Sequence, residues 1–147
     1  MLPPDKSFNL FSNILNLYFD ERPQYCPKQK AAAEALSNIE FLQAGLGQGA
    51  LGSNRFDKAL LVTVLGEIPD RLKALKEIAV ALKPGGILSV TETVFDPHFQ
   101  SRNTVSRIAA EAGLVPEKSF GGRMSFTIHF LKPYPEEDIY APNHRSA

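Results

Sequence analysis

Acidic side chains and one histidine follow the two most apolar runs in the middle of the sequence. Glu67 comes shortly after the first run, and Glu92, Asp96 and His98 follow the second. Runs of this kind suit strands buried in a parallel sheet, and the ends of such strands face a ligand crevice. Because a carboxylate can orient a histidine as a general base, Glu92, Asp96 and His98 could act together, and the candidate catalytic residues are Glu67, Asp96 and His98. The alternatives are a metal site and a polar loop at the edge of the sheet that takes no part in chemistry, and Glu67 could equally do no more than lead into the next helix.

A glycine-rich segment precedes the first apolar run, with Gly45, Gly47 and Gly49 at alternate positions. Backbone without a Cβ can approach a phosphate closely, but a phosphate loop also needs a following helix whose N-terminus faces the ligand. Residues 50–55 alone separate this segment from the apolar run, which is too short for such a helix. We therefore predict a flexible connector, and nucleotide binding through Gly47 stays as the alternative.

The composition narrows the class of protein and the kind of site. The 147 residues suit one domain, and 16 basic and 16 acidic side chains give a net charge of zero, which argues against nucleic-acid binding through bulk charge. The single cysteine, Cys26, excludes an internal disulfide, and the three scattered histidines show no metal-ligand spacing. No apolar run is long enough to span a bilayer and no secretory signal is visible. We expect a cytoplasmic protein that binds no metal, nucleic acid or membrane.

Helices and strands alternate along the chain and would place the candidate residues at one end of a sheet. Strands are predicted where apolar residues run continuously or alternate, and helices where they recur at helical spacing. The order of strand, helix and strand indicates an α/β sheet with right-handed crossovers, and Asn103 or Thr104 is the expected N-cap of the last helix. The predicted strands are residues 39–43, 57–64, 87–91, 114–120 and 124–130, and the predicted helices are residues 7–19, 28–36, 70–82 and 103–112.

Two stretches of the sequence are more specific than the general pattern. Residues 56–70 read FDKALLVTVLGEIPD, and residues 82–86 read LKPGG ahead of the next predicted strand. In this order they resemble the fourth and fifth strands of class I S-adenosylmethionine-dependent methyltransferases, most closely the type 11 subgroup. The resemblance covers about residues 29–133. It implies a partial Rossmann-like methyltransferase sheet, mostly parallel, with a C-terminal antiparallel hairpin.

The resemblance also implies a cofactor and its contacts. S-adenosylmethionine would donate a methyl group to an acceptor that the sequence does not identify. The residues at the ends of two predicted strands would lie near the cofactor. These are Gln43, Ala44 and Gly45 near the adenine, and Thr63, Val64 and Leu65 beneath the methionine moiety.

The family's first strand and its Asp/Glu-x-Gly-x-Gly-x-Gly motif are not found before Ile39. We therefore expect a truncated domain, with a helix and loop over residues 1–28, the α/β domain over 29–133 and a mobile tail over 134–147. Without that strand, residues 57–64 would be an open apolar edge, which invites pairing with a second copy. We expect weak or absent cofactor binding by this chain alone. The alternative function is a non-catalytic module that self-pairs or binds a protein partner through the open sheet edge.

Overall fold

The computed structural model describes residues 14–17, 27–38, 40, 42 and 44–136. Their strands form one sheet in the order β1-β2-β3-β5-β4. The first three are mutually parallel, whereas β5 runs antiparallel to β3 and forms a hairpin with β4. The strands are β1 (Ile14–Leu17), β2 (Phe56–Val62), β3 (Leu82–Thr93), β4 (Val115–Gly121) and β5 (Ser125–Leu131).

Three helices connect the strands: α1 (Pro27–Ala33), α2 (Arg71–Ala81) and α3 (Arg102–Glu111). Asp70 caps α2 by accepting the Lys73 N–H at 3.0 Å, as the sequence predicts for a helix that starts near Pro69. Ser101 caps α3 by accepting the Thr104 N–H at 3.2 Å. The expected cap at Asn103 or Thr104 is therefore wrong, because the Ser101 hydroxyl already satisfies that amide.

The core lies on one face of β2, β3 and β5 and includes the inner faces of α2 and α3. Along β3, Leu88, Val90 and Glu92 are buried, while the intervening Ser89 and Thr91 are half-buried. This alternation is the period of two that a strand imposes on its side chains. It carries an acidic side chain, Glu92, into an otherwise apolar face.

The N-terminal prediction is wrong where the structure describes it. Ile14–Leu17 is a strand rather than part of a helix, and it pairs in parallel with β2 from Lys58 to Leu61. The pairing satisfies backbone groups that β2 would otherwise leave open, which outweighs the helical spacing of the apolar residues. The predicted open edge at β2 is therefore also wrong. The rest of the predicted helix, residues 7–13 and 18–19, lies outside the described residues.

Most of the other predicted helices and strands are present in the structure, and the strand over residues 39–43 is the exception. The helices over 28–36, 70–82 and 103–112 and the strands over 57–64, 87–91, 114–120 and 124–130 are confirmed, with shifts at their ends. In the predicted strand over 39–43, Glu40 and Leu42 are exposed and in no strand, while Ile39, Phe41 and Gln43 lie outside the described residues. Most of the predicted mobile tail, residues 137–147, also lies outside them. Within the described ranges, no helix is long and apolar enough to cross a membrane.

Candidate active site

The chain leaves the sheet abruptly at the carboxyl end of β2. Thr63 has a φ of +52°, a left-handed conformation that β-branched residues rarely adopt and that costs about 1–2 kcal/mol. Its N–H donates to the Thr91 carbonyl at 2.9 Å, and its hydroxyl donates to the Val62 carbonyl at 2.8 Å. The chain then enters a single 3-10 turn, Leu65–Glu67, which we call the strand-end turn. Strain at this point places the turn over the ends of β2 and β3.

The segment after β3 packs directly on that turn. We call residues 94–100 the strand-end loop. A Cβ added to Gly66 would lie 1.8 Å from the His98 carbonyl oxygen, so any side chain at this position would push the two backbones apart. We call this close contact between the backbones of Gly66 and His98 the interlock, and it requires glycine at position 66.

Glu67, Asp96 and His98 meet at this interlock, as expected for residues that follow neighbouring parallel strands. The His98 Nδ1 lies 3.8 Å from the Glu67 Oε1 and 3.9 Å from the Asp96 Oδ1. The Asp96 Oδ1 also accepts the His98 backbone N–H at 2.7 Å, which fixes the start of the imidazole side chain. The His98 side chain is 58% exposed, and its Nδ1 is the nitrogen that faces the two carboxylates.

Arg71, the first residue of α2, ties the strand-end turn to the helix. Its Nε donates to the Leu65 carbonyl at 3.2 Å, and its Nη2 donates to the Gly66 carbonyl at 3.0 Å. The guanidinium also lies close enough to Glu92 to oppose the rise in that residue's pKa. Arg71 therefore both holds the turn and offsets part of the negative charge beneath it.

Glu92 lies under the strand-end loop and is 1% exposed. Its Oε2 accepts the Gln100 backbone N–H at 3.1 Å, whereas its Oε1 has no hydrogen-bond partner among the described residues. Burial raises the pKa of this carboxyl, Asp96 raises it further, and the Gln100 N–H and Arg71 lower it. A buried unsatisfied acceptor costs about 1–3 kcal/mol, so stability alone does not favour this arrangement.

The glycine-rich segment is held by a different glutamate. The Glu77 carboxylate on α2 accepts the Gly47 N–H on one oxygen, and on the other it accepts the Leu51 N–H at 3.1 Å. Gly47 and Gly49 have φ values of +89° and +80°, a backbone conformation that favours glycine and lets the segment turn between the two amides that Glu77 binds. As predicted, no helix follows this segment before β2. Its Gly47 and Leu51 amides are bound by Glu77, and nucleotide binding through Gly47 stays an untested alternative.

The predicted cofactor contacts fall into two groups. Thr63, Val64 and Leu65 lie in or beside the strand-end turn, and the side chains of Val64 and Leu65 are buried, so their backbone is what they could offer. Ala44 and Gly45 are exposed and lead into the segment held by Glu77, and Gln43 lies outside the described residues. Among the residues that the structure describes, no group of three or more His, Cys, Asp or Glu could hold a metal ion.

Sequence reasoning missed the roles of Gly66 and Arg71, and it grouped Glu92 with Asp96 and His98, whereas the structure buries Glu92 beneath the loop and brings Glu67 to His98 instead. For Glu92 a signal existed, because the alternation of Leu88, Val90 and Glu92 predicts that all three share the buried face. For Gly66 and Arg71 we find no signal in the sequence, because their contacts depend on how the strand-end turn packs against neighbouring segments.

Comparison with known sequences supports the resemblance. A family model described as a methyltransferase domain matches residues 6–90, which is more than half of the chain. Demethylmenaquinone methyltransferase from Lactococcus lactis is 38% identical over 80 residues, which make up 54% of this chain and 32% of that protein. The corresponding protein of Geobacillus stearothermophilus is 31% identical over 80 residues, or 34% of its length. The chain thus spans about a third of the length of the curated relatives it matches.

Solved structures share the fold. An S-adenosylmethionine-dependent methyltransferase from Aquifex aeolicus superposes with a TM-score of 0.64 at 20% identity, over 71% of this chain and 60% of that one. One from Methanosarcina mazei gives a TM-score of 0.65 at 16% identity, over 91% of this chain and 99% of that one.

A third solved structure was determined with ligands. The 1,6-didemethyltoxoflavin-N1-methyltransferase of Burkholderia thailandensis, solved with S-adenosylhomocysteine bound, gives a TM-score of 0.63 at 15% identity, over 84% of this chain and 72% of that one. These superpositions confirm the predicted fold class, a mostly parallel methyltransferase sheet with a C-terminal antiparallel hairpin. With the match over residues 6–90, they show that this chain belongs to the class I S-adenosylmethionine-dependent methyltransferase domains.

Proposed function

We propose that this chain takes part in methyl transfer from S-adenosylmethionine, with the reacting groups at the carboxyl ends of β2 and β3. Family membership supports the reaction class. The observation that carries the placement is the meeting of Glu67, Asp96 and His98 around the strand-end turn. In open α/β sheets, ligands lie in the crevice outside the carboxyl ends of the strands.

The groups at this edge are compatible with the cofactor. When bound, S-adenosylmethionine supplies an activated methyl group on a positively charged sulfonium. The carboxylates of Glu67 and Asp96 favour a nearby cation electrostatically, and only partial exposure strengthens that attraction. The backbone of Thr63, Val64 and Leu65 would contact the methionine moiety, and Gln43, Ala44 and Gly45 the adenine.

His98 would accept the proton that the methyl acceptor loses. Its Nδ1 faces Glu67 and Asp96, so its Nε2 is the nitrogen left to accept a proton from an acceptor O–H or N–H. Nε2 would take the proton that the acceptor loses on methylation, while the cofactor would leave as S-adenosylhomocysteine. Because the curated relatives are named demethylmenaquinone methyltransferases, the reduced form, a demethylmenaquinol, is the first acceptor to try. It would be methylated on a ring carbon, and Nε2 would take the proton of the hydroxyl group whose ionisation activates that carbon.

Transfer of a labelled methyl group from S-adenosylmethionine tests this function. We expect His98→Ala to lower the rate about a hundredfold, the usual range for loss of a general base. His129→Ala is the matched control, because that histidine lies on β5 with its ring 5.1 Å from the Phe120 ring. A His98→Ala rate equal to that of the unchanged protein would contradict the assigned role.

We expect this chain alone to bind the cofactor weakly. Its sequence contains no Asp/Glu-x-Gly-x-Gly-x-Gly motif, and the amides of Gly47 and Leu51 are already committed to Glu77. Calorimetry should therefore give a dissociation constant well above the micromolar range. Low-micromolar affinity would overturn this expectation. A cytoplasmic location is part of the proposal and can be tested by imaging the tagged protein in cells.

A non-catalytic association module remains the second candidate. Among the described strands the sheet has two edges, β1 and β4; β1 pairs with β2 and takes the place of the predicted edge there, and its Ile14 is 56% exposed. Self-pairing through this edge predicts a dimer in light scattering at high concentration. A clean monomer with measurable methyl transfer would exclude that role.

A further inference from the structure

We propose that Glu92 is a positioning residue of the methyl-transfer site: by binding the Gln100 N–H it seats the strand-end loop on the strand-end turn and thereby holds His98 between Glu67 and Asp96. The assignment rests on the proposed function insofar as His98 acts on the acceptor. Nothing in the sequence match or the family resemblance gives Glu92 this task.

The geometry of the loop supports the assignment. Hydrogen bonds within the loop, such as Phe99 N–H to the Asp96 carbonyl at 3.1 Å, shape it into turns. They do not by themselves fix the loop to the sheet. The Glu92–Gln100 bond ties its carboxyl end to β3, and the close contact of Gly66 with the His98 carbonyl seats its middle on the neighbouring strand's turn. His98 itself forms the second attachment and lies two residues before Gln100, so its position depends on both contacts.

The chemistry of Glu92 favours a role beyond packing. An uncharged glutamine could accept the same amide, yet the chain carries a glutamate with one oxygen unpartnered in the described structure. A carboxylate accepts an N–H more strongly than a neutral amide does, so the charge tightens the hold on the loop. The negative charge therefore strengthens the attachment of the loop, although burying that charge costs free energy of folding.

The charged groups around Glu92 come from several elements. Asp96 faces it from the loop and Arg71 from α2. On β5 its register partner is Phe126, whose ring carries the Arg102 guanidinium of α3 at 4.6 Å from the centroid. Glu67 and His98 lie beyond Asp96. Because burial raises the pKa of Glu92, the loop should loosen as the pH falls through that raised value.

A pH titration followed by NMR tests the proposal without any substrate. In the unchanged protein the Gln100 amide shift should follow an ionisation above the ordinary glutamate value of 4.5. Glu92→Gln should abolish that titration. Glu111→Gln, which removes an exposed carboxylate paired with Arg107, should leave it intact. A flat Gln100 shift in the unchanged protein, or the same titration in Glu92→Gln, would overturn the proposal.

A second variant tests the bond itself. Glu92→Leu keeps an apolar side chain of similar size in the core but removes the acceptor, so the Gln100 amide should exchange with solvent about tenfold faster while the core amides of β3 stay protected. Unchanged exchange at Gln100 would contradict the proposal.

The activity measurement separates the two hypotheses. With demethylmenaquinol as the probe acceptor, Glu92→Gln should lower kcat about tenfold, leave the KM for S-adenosylmethionine unchanged and remove one ionisation from the acid limb of the pH profile. If the unchanged protein transfers no methyl group, the proposed function fails and the NMR titration still decides the positioning role. If it transfers methyl groups and Glu92→Gln matches it at every pH, the positioning role fails alone.

Discussion

Two loops of this protein are each held by one glutamate, and the glutamates are used differently. Glu77 binds the glycine-rich segment with both oxygens, through the amides of Gly47 and Leu51. Glu92 binds the strand-end loop with one oxygen, through Gln100, and its other oxygen has no partner among the described residues. Glu77 is half-buried on a helix, whereas Glu92 is almost completely buried at the end of a central strand.

This difference indicates that the Glu77 carboxylate is structural, whereas the Glu92 carboxylate belongs to the proposed functional site. At Glu77 both carboxylate oxygens accept a backbone amide, so the contact stabilises the fold. At Glu92 an unmatched oxygen and a raised pKa are maintained in the core, beside the residues that we assign to catalysis. Arrangements that are costly for stability concentrate at functional sites.

The largest effect should come from filling the interlock at Gly66. Gly66→Ala places a Cβ 1.8 Å from the His98 carbonyl, so the loop must move, and we expect a loss of about 3 kcal/mol in the free energy of unfolding. Urea denaturation measures it. Gly122→Ala is the control, because nothing lies within 4 Å of its added Cβ. Equal stability of the two variants would mean that the interlock is absent.

The next effect concerns the structural glutamate. Glu77→Ala leaves the Gly47 and Leu51 amides without their acceptor, and we expect a loss of about 2 kcal/mol. The Gln100 amide should keep its pH titration in this variant, because the two loops are held independently. Denaturation and NMR on one sample check both statements. Loss of the Gln100 titration in Glu77→Ala would show that the loops are coupled.

Glu92→Gln should act in the opposite direction on stability. Since the folded pKa of Glu92 lies above the ordinary value of 4.5, the folded state binds the proton more tightly than the unfolded state. The free energy of unfolding therefore falls as the pH rises from about 4.5 through the folded pKa, and it is level above that value.

Glu92→Gln removes this fall, so the variant should be more stable than the unchanged protein at pH 7 and equally stable at low pH. Denaturation midpoints across that range measure it. If the variant is less stable at pH 7, Glu92 is a structural residue, as Glu77 is.

The smallest effect concerns the strained threonine at the end of β2. Thr63→Gly relieves the positive φ but frees the unfolded backbone, so we expect a net gain below about 1 kcal/mol. Thr93→Gly, in ordinary strand backbone, should instead lose about 1 kcal/mol. Thermal unfolding of the pair checks the contrast. A loss at Thr63 as large as the loss at Thr93 would argue against stored strain.

The sequence predicts the parallel centre of the sheet and the meeting of Glu67, Asp96 and His98, because both follow from apolar runs and from where parallel strands end. It does not predict β1, since Ile14–Leu17 sits in a segment with helical spacing and becomes a strand only through pairing with β2. The anchors at Glu77 and Glu92 depend on contacts that the crossing of separate segments creates. The local spacing of apolar and polar residues in the sequence does not indicate such contacts.

We expect the methionine moiety of the cofactor to lie at the strand-end turn, with no contact to the Gly47 and Leu51 amides, which Glu77 already holds. Chemical-shift mapping of the labelled protein with S-adenosylmethionine tests it directly and tolerates weak binding. We expect the amide shifts to change at Thr63, Val64, Leu65 and Gln100, with the Gly47 and Leu51 amides unmoved. Changes centred on Gly47 and Leu51, or none at the ends of β2 and β3 at saturating cofactor, would contradict the account.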